Sequence, residues 1–264
     1  MKGRMMLGIL MGLSLTCTAL GESLAAVARQ TVQDFGDAII TIEVVSEQKW
    51  AYGGSQHESE SKSEVLGTVV DPSGVVVTAL SSVDRSQIME RLRARQDDSS
   101  FTVTVKAIKY ILPDNSEIAA TVALRDVDLD LAVLVPVTRP ENAMTAVDLA
   151  GAVEPGFLDE IFTIARMGRI ARRTVVGMTG EVQGIVTRPR AYYIPSSEIA
   201  SAGTGVPVFD AQGRLVGFVL LHVLPGAMAP GAGNDNPVIP IVLPAAEVRE
   251  VVKQLPGDDA GSEP

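Results

Sequence analysis

Between residues 38 and 243 the chain breaks into twelve short segments dense in β-branched residues, each closed off by turn chemistry. The first six are AIITIEVV (38–45), VLGTVVD (65–71), GVVVTAL (74–80), FTVTVKAI (101–108), EIAATVAL (117–124) and DLAVLVPV (130–137). The second six are EIFTIAR (160–166), RTVVGMTGEVQGIVTR (173–188), YYIP (192–195), GVPVFD (205–210), RLVGFVLLHV (214–223) and PVIPIVL (237–243). Between them stand turns such as D-P-S-G at 71–74 and P-D-N-S at 113–116, where proline presets φ and Gly or Asn tolerates a tight bend. Many short strands at this spacing indicate an all-β sandwich or barrel protein. Six strands close one barrel, so the spacing predicts two, over about 37–137 and 150–244, with the PENAMT loop between them. The chain then turns helical over 245–255, where Val248, Val251, Val252 and Leu255 form the i, i+3, i+4, i+7 stripe of a helix packed on one face.

The flanks read differently. Lys2 and Arg4 precede the apolar run MMLGILMGLSLTCTALG (5–21), too short and too soon polar for a stable membrane span, so residues 1–21 are expected to be a secretory signal peptide. Small residues at 19 and 21, 23 and 25, or 26 and 28 leave the cleavage site open as far as residue 28. Cys17 falls in this leader and is the sole cysteine, so the processed protein is expected to have no disulfide or thiol chemistry. Loss of Lys2 and Arg4 takes the formal charge from −10 to about −12, which argues against a nucleic-acid partner. No later run is long and apolar enough to span a membrane. A short helix is expected around 31–35, a polar loop at 51–64, a surface helix at 82–97 and a disordered tail at 256–264.

Three segments, in order, resemble the trypsin-like (chymotrypsin-fold) serine proteases of the HtrA/DegP type. GTVVDPSGVVVTALSSVD (67–84) is similar to the segment that carries that family's general-base histidine; matching Thr78 to the family threonine places Ser81 on the histidine. LRDVDLDLAVLVPV (124–137) resembles the segment of the triad aspartate and places Asp130 there. In SAGTGVPVFDAQGRLVGFVLL (201–221), which resembles the nucleophile loop and its hairpin, Pro207 and Gly213 anchor the frame and put Thr204 on the serine. The resemblance covers roughly residues 36–255 and implies two six-stranded antiparallel barrels with a closing helix. HtrA proteins typically carry a PDZ domain; none follows residue 255 here, so ligand recognition is expected from the barrels themselves.

Acyl transfer needs a hydroxyl, a base to take its proton and a carboxylate to orient the base. On these alignments only the carboxylate remains: Ser81 is too weakly basic, and Thr204 adds a methyl and a stiffer χ1. The oxyanion donors implied by the resemblance are the N–H groups of Ala202 and Thr204, where Ala202 replaces a family glycine. The expected protein is therefore an exported, periplasmic or extracellular pseudoprotease. An extended peptide or protein partner would pair in the old substrate groove beside 194–204, lined by Ile194, Ser201 and Gly203. The rival is an active serine or threonine endopeptidase with an unusual triad, using Thr204, Ser81, Ser82 or Ser201. His57 reads as a solvated loop residue and His222 as a structural or surface residue. Asp126 and Asp128 precede Asp130 in a D-x-D-x-D run that lacks the glycine and glutamate of a calcium loop, so no metal and no cofactor is expected. Arg166, Arg169, Arg172 and Arg173 form the one basic run, read either as a solvated loop or as a seat for an anion such as a peptide C-terminus. Trp50 and Tyr52 resemble, loosely, the aromatic segment through which HtrA proteases trimerise, which would imply a homo-oligomer; a place in the core is the equal alternative.

Overall fold

A computed structural model describes residues 23–52, 55–84, 86, 100–223 and 238–255. Helix α1 (Leu24–Phe35) and a 3-10 turn (Gly36–Ala38) lead into β1 (Ile39–Tyr52), β2 (Ser55–Asp71), β3 (Val75–Ala79) and a one-turn helix α2 (Leu80–Val83). After these come β4 (Ser100–Ile111), β5 (Glu117–Asp126) and β6 (Leu131–Pro136). The second half holds β7 (Glu160–Arg166), β8 (Val175–Val186), β9 (Tyr192–Pro195), a one-turn helix α3 (Ser197–Ala200), β10 (Pro207–Asp210), β11 (Leu215–Val223), β12 (Val238–Pro244) and helix α4 (Ala245–Val252). Strands β1-β2-β3-β6-β5-β4 close one antiparallel barrel and β10-β11-β12-β9-β8-β7 close another. The expected fold class is observed strand for strand.

Burial explains why several strands read as unbroken apolar runs rather than as alternation. In β7, Ile161 and Ala165 point into the second barrel with buried Thr163, while Phe162 and Ile164 pack outward against the first barrel, α1 and α4. Phe35 of α1 stacks on Phe209, which stacks in turn on Phe162, at centroid distances of 6.0 and 5.5 Å. Arg166, at the end of β7, reaches across to barrel one with its guanidinium nearly buried. It donates to the carbonyls of Gly36 and Ile39 and to Asp37.

Two local expectations are corrected. The helix expected near 31–35 begins at Leu24, because Ser23 caps it and Leu24, Val27, Ala28 and Val32 all pack against the core. The expected polar loop at 51–64 is strand: β1 and β2 pair from Ile39↔Thr68 out to Tyr52↔Ser55, and β4 lies along the other edge of β1. Its polarity belongs to an arm standing off the barrel, where Lys49 pairs with Glu47 and Glu58, and Trp50 stacks on its register partner His57 at 5.6 Å. Trp50 thus belongs to this arm rather than to a core. Of the expected helix at 82–97, residues 82 and 83 belong to α2; residues 85 and 87–97 lie outside the described residues, as do the leader (1–21) and the tail (256–264).

The barrels meet at Gly205. Its φ is +80°, its carbonyl accepts from Thr68 Oγ1 at 2.7 Å, and an added Cβ would collide with the Leu66 carbonyl oxygen and lie 2.8 Å from Thr78 Oγ1. Gly203 has φ +98° but open space around it. Gly205→Ala should therefore cost about 2–5 kcal/mol, backbone strain plus overpacking, while Gly203→Ala should cost only about 1–2 kcal/mol of strain. Urea unfolding of the two variants checks this; equal losses would mean that Gly205 does not hold the joint.

Candidate functional site

The cleft between the barrels is built from α2, the turn before β6, and the loop between α3 and β10. Asp130 sits in the left-handed region at φ +53°, which a short polar side chain tolerates, and its carbonyl accepts from Leu80 N–H at 2.8 Å. Its carboxylate turns inward. Oδ1 accepts from Ser81 N–H at 2.7 Å; Oδ2 accepts from Ser81 Oγ–H at 2.9 Å and from Leu221 N–H at 3.2 Å. Asp126 and Asp128 take no part: Asp126 Oδ1 closes the turn by accepting from the N–H groups of Asp128 and Leu129, both at 3.0 Å.

Thr204 does not reach Ser81. Its Oγ1 lies 2.8 Å from Ser82 Oγ, where either can donate. Consecutive residues thus serve opposite barrels: Ser81 meets the Asp130 carboxylate, and Ser82 meets the Thr204 hydroxyl. Neither serine is a base, and among the described residues no imidazole hydrogen-bonds Thr204 or Asp130. His57 is out on the arm, and His222 of β11 stacks on Tyr192 at 5.0 Å. The Ser82–Thr204 pair was not foreseen, because an alignment that seats Ser81 on the histidine gives its neighbour no role. The Leu221 contact is a backbone donor, which residue identity does not announce.

The loop before Thr204 spends one expected oxyanion donor. Ala202 N–H donates to Ile199 O at 3.1 Å, and the Ala202 side chain is buried without a positive φ. A carbonyl oxygen placed beside Thr204 therefore finds at most one of the two donors. Ser201 is exposed with its Oγ–H given to Glu198 O at 2.7 Å, and Gly203 is exposed. Ile194 is half-buried on β9, its side chain folded close to Gly184 of β8. The four arginines do not converge. Arg166 braces barrel one as described; Arg173 bonds Glu64 at 2.7 Å and Asn115 at 3.0 Å; Arg169 and Arg172 are exposed.

The family model described as a trypsin-like peptidase domain matches residues 66–218, more than half of the chain. The chain belongs to the trypsin-like peptidase family. No curated protein matches the sequence. The matched span begins in β2 and ends in β11, so it takes in Ser81, Asp130 and Thr204 together.

Burial raises the Asp130 carboxyl to about 6, against the smaller opposing pull of the bonds from Ser81 and Leu221. With its folded pKa above the unfolded value of about 3.9, the fold favours the protonated form. Its contribution to stability is fully present below about pH 4 and is lost as pH rises through 6. Relative to Asp130→Asn, the natural protein should lose on the order of 2–3 kcal/mol between pH 4 and pH 7.5. Denaturant titrations of both proteins across that range test it, and parallel pH profiles would show that Asp130 is not strained by its burial.

Proposed function

We propose that this chain is an exported, HtrA-like pseudoprotease that binds an extended peptide or a protein segment in the inter-barrel cleft without cutting it. The observation that carries the reading is the pairing of hydroxyls: Thr204 faces Ser82, and among the described residues the carboxylate of this site, Asp130, is already occupied by Ser81 and Leu221. Nothing in that arrangement removes a proton from Thr204. Loss of a general base costs about 10²- to 10⁴-fold, and loss of one oxyanion donor about a further 10²- to 10³-fold. Binding asks less of the site, since a peptide added to a strand edge gains affinity from backbone pairing and from side-chain pockets. Should a leader be removed, cleavage after Gly21 keeps the Ser23 cap of α1, whereas cleavage after Ala28 would remove Leu24, Val27 and Ala28 from the core.

One observation favours a second reading, a weak endopeptidase. The 2.8 Å contact with Ser82 fixes the Thr204 hydroxyl in place, so a base carried by the substrate or a partner would meet an oriented nucleophile.

Hydrolysis of an unfolded protein substrate separates the two. The natural protein and Thr204→Ala should both give no turnover, while Ser81→His combined with Thr204→Ser should gain a measurable rate. Turnover by the natural protein that disappears in Thr204→Ala would overturn the pseudoprotease reading and establish Thr204 as the nucleophile.

A further inference from the structure

The two ends of the β7–β8 hairpin carry opposite charge and matching apolar side chains. At the tip, Ile170 is 103% exposed and Met167 45%, with the exposed Arg169 and Arg172 on either side of Ile170. This tip is not loose chain. Ala171 and Arg173 N–H groups both bond Gly168 O, Met167 bonds Thr174 O, and Thr174 caps Ala171 O through both its N–H and its hydroxyl. Arg172 and Arg173 are held at φ +55° and +51°, and the side chains of Arg166 and Arg173 anchor the base to barrel one. Non-glycine residues in that region persist only where surrounding contacts hold them, and here the result is an isoleucine presented fully to solvent.

At the far end, one strand length or about 20 Å away, Phe157 is 64% exposed and Leu158 53%. Leu158 is again left-handed, at φ +65°, fixed by its N–H bond to Val182 O. Exposed Glu154 and Glu160 flank this pair. Among the described residues, Arg169, Arg172, Glu154 and Glu160 have no ion-pair partner.

We propose that these two surfaces bind each other between copies of the chain, the Ile170 tip of one protomer seating on the Phe157–Leu158 patch of the next. The charges select this arrangement. Tip against tip would set arginine against arginine, and patch against patch would set glutamate against glutamate, so only the head-to-tail contact is complementary. Such a contact is heterologous, and it closes into a ring or extends as a chain according to the rotation it imposes. It is independent of whether the cleft cuts, binds or does neither.

Sedimentation velocity on the protein expressed from residues 1–264, from about 5 to 500 μM, tests the proposal. The mass should rise with concentration at about 20 mM NaCl and fall back at about 500 mM, where charge attraction between the surfaces is screened. Neutralising the tip (Arg169→Ser, Ile170→Ser, Arg172→Ser) or the patch (Glu154→Gln, Phe157→Ser, Glu160→Gln) should leave each variant a monomer. Mixed together, the two variants retain one intact surface each and should form a one-to-one dimer that grows no further. A natural protein that stays monomeric throughout, or self-association that survives either set of substitutions, overturns the proposal. Should a variant fail to fold, the natural protein's own salt response decides: association indifferent to salt would equally rule it out.

Discussion

The seat of Gly205 against β2 determines where every other group in the cleft lies. Its N–H bonds Val219 O at 2.7 Å inside barrel two, while its carbonyl takes the hydroxyl of Thr68 from barrel one. Thr78 Oγ1, directly beside it, is committed to Leu66 O at 2.7 Å, so the Leu66 carbonyl and the Thr78 hydroxyl leave no room for a side chain at 205. With that residue pinned between barrels, its neighbour Thr204 must face α2, and the side chain it meets there is Ser82. The placement of a hydroxyl at the barrel joint thus follows from packing alone. It does not depend on whether that hydroxyl reacts.

Asp130 shows the same separation of structure from chemistry. A half-buried carboxylate needs either a counter-charge or enough donors to replace its water. Here three donors from α2 and β11 take that part, and among the described residues no cation bonds it. The donors lower its pKa, but desolvation outweighs them. Those bonds also tie α2 to the turn before β6 and to the opposite barrel, so the carboxylate has a structural use without any imidazole to orient. A site of this kind keeps its geometry whether or not it reacts, because the fold needs the contacts.

How much of this was legible in the sequence depends on whether side chains or backbone carry the information. Strand number and barrel closure were readable because each strand announces itself through β-branched residues and each turn through Gly, Pro, Asn or Asp. The Ser81–Asp130 contact was reachable as well, since it joins two recognisable segments. Other features leave no such trace. The turn of Ala202 N–H onto Ile199 O and the donation from Leu221 N–H are backbone events that any residue type permits. The basic run misled in a further way: four arginines close in sequence read as one patch, yet the hairpin sends Arg166 and Arg173 onto barrel one and turns Arg169 and Arg172 to solvent.

The arm formed by the outer parts of β1, β2 and β4 sets the limit of periodicity arguments. S-Q-H-E-S-E-S-K-S-E at 55–64 has no apolar alternation, and by burial logic it should not be a strand. Exposed ion pairs such as Lys49–Glu58 are screened by solvent and contribute too little to order the segment. What does order it is cooperative backbone pairing. In the arm β1 is flanked on both sides over residues 46–50, so its own hydrogen-bonding groups are satisfied without fully burying a side chain. The charges then serve a different purpose on the outer edge of β2, where Glu58, Glu60 and Lys62 discourage another strand from pairing. The polar sequence that argues against a strand is therefore the sequence an exposed edge strand requires.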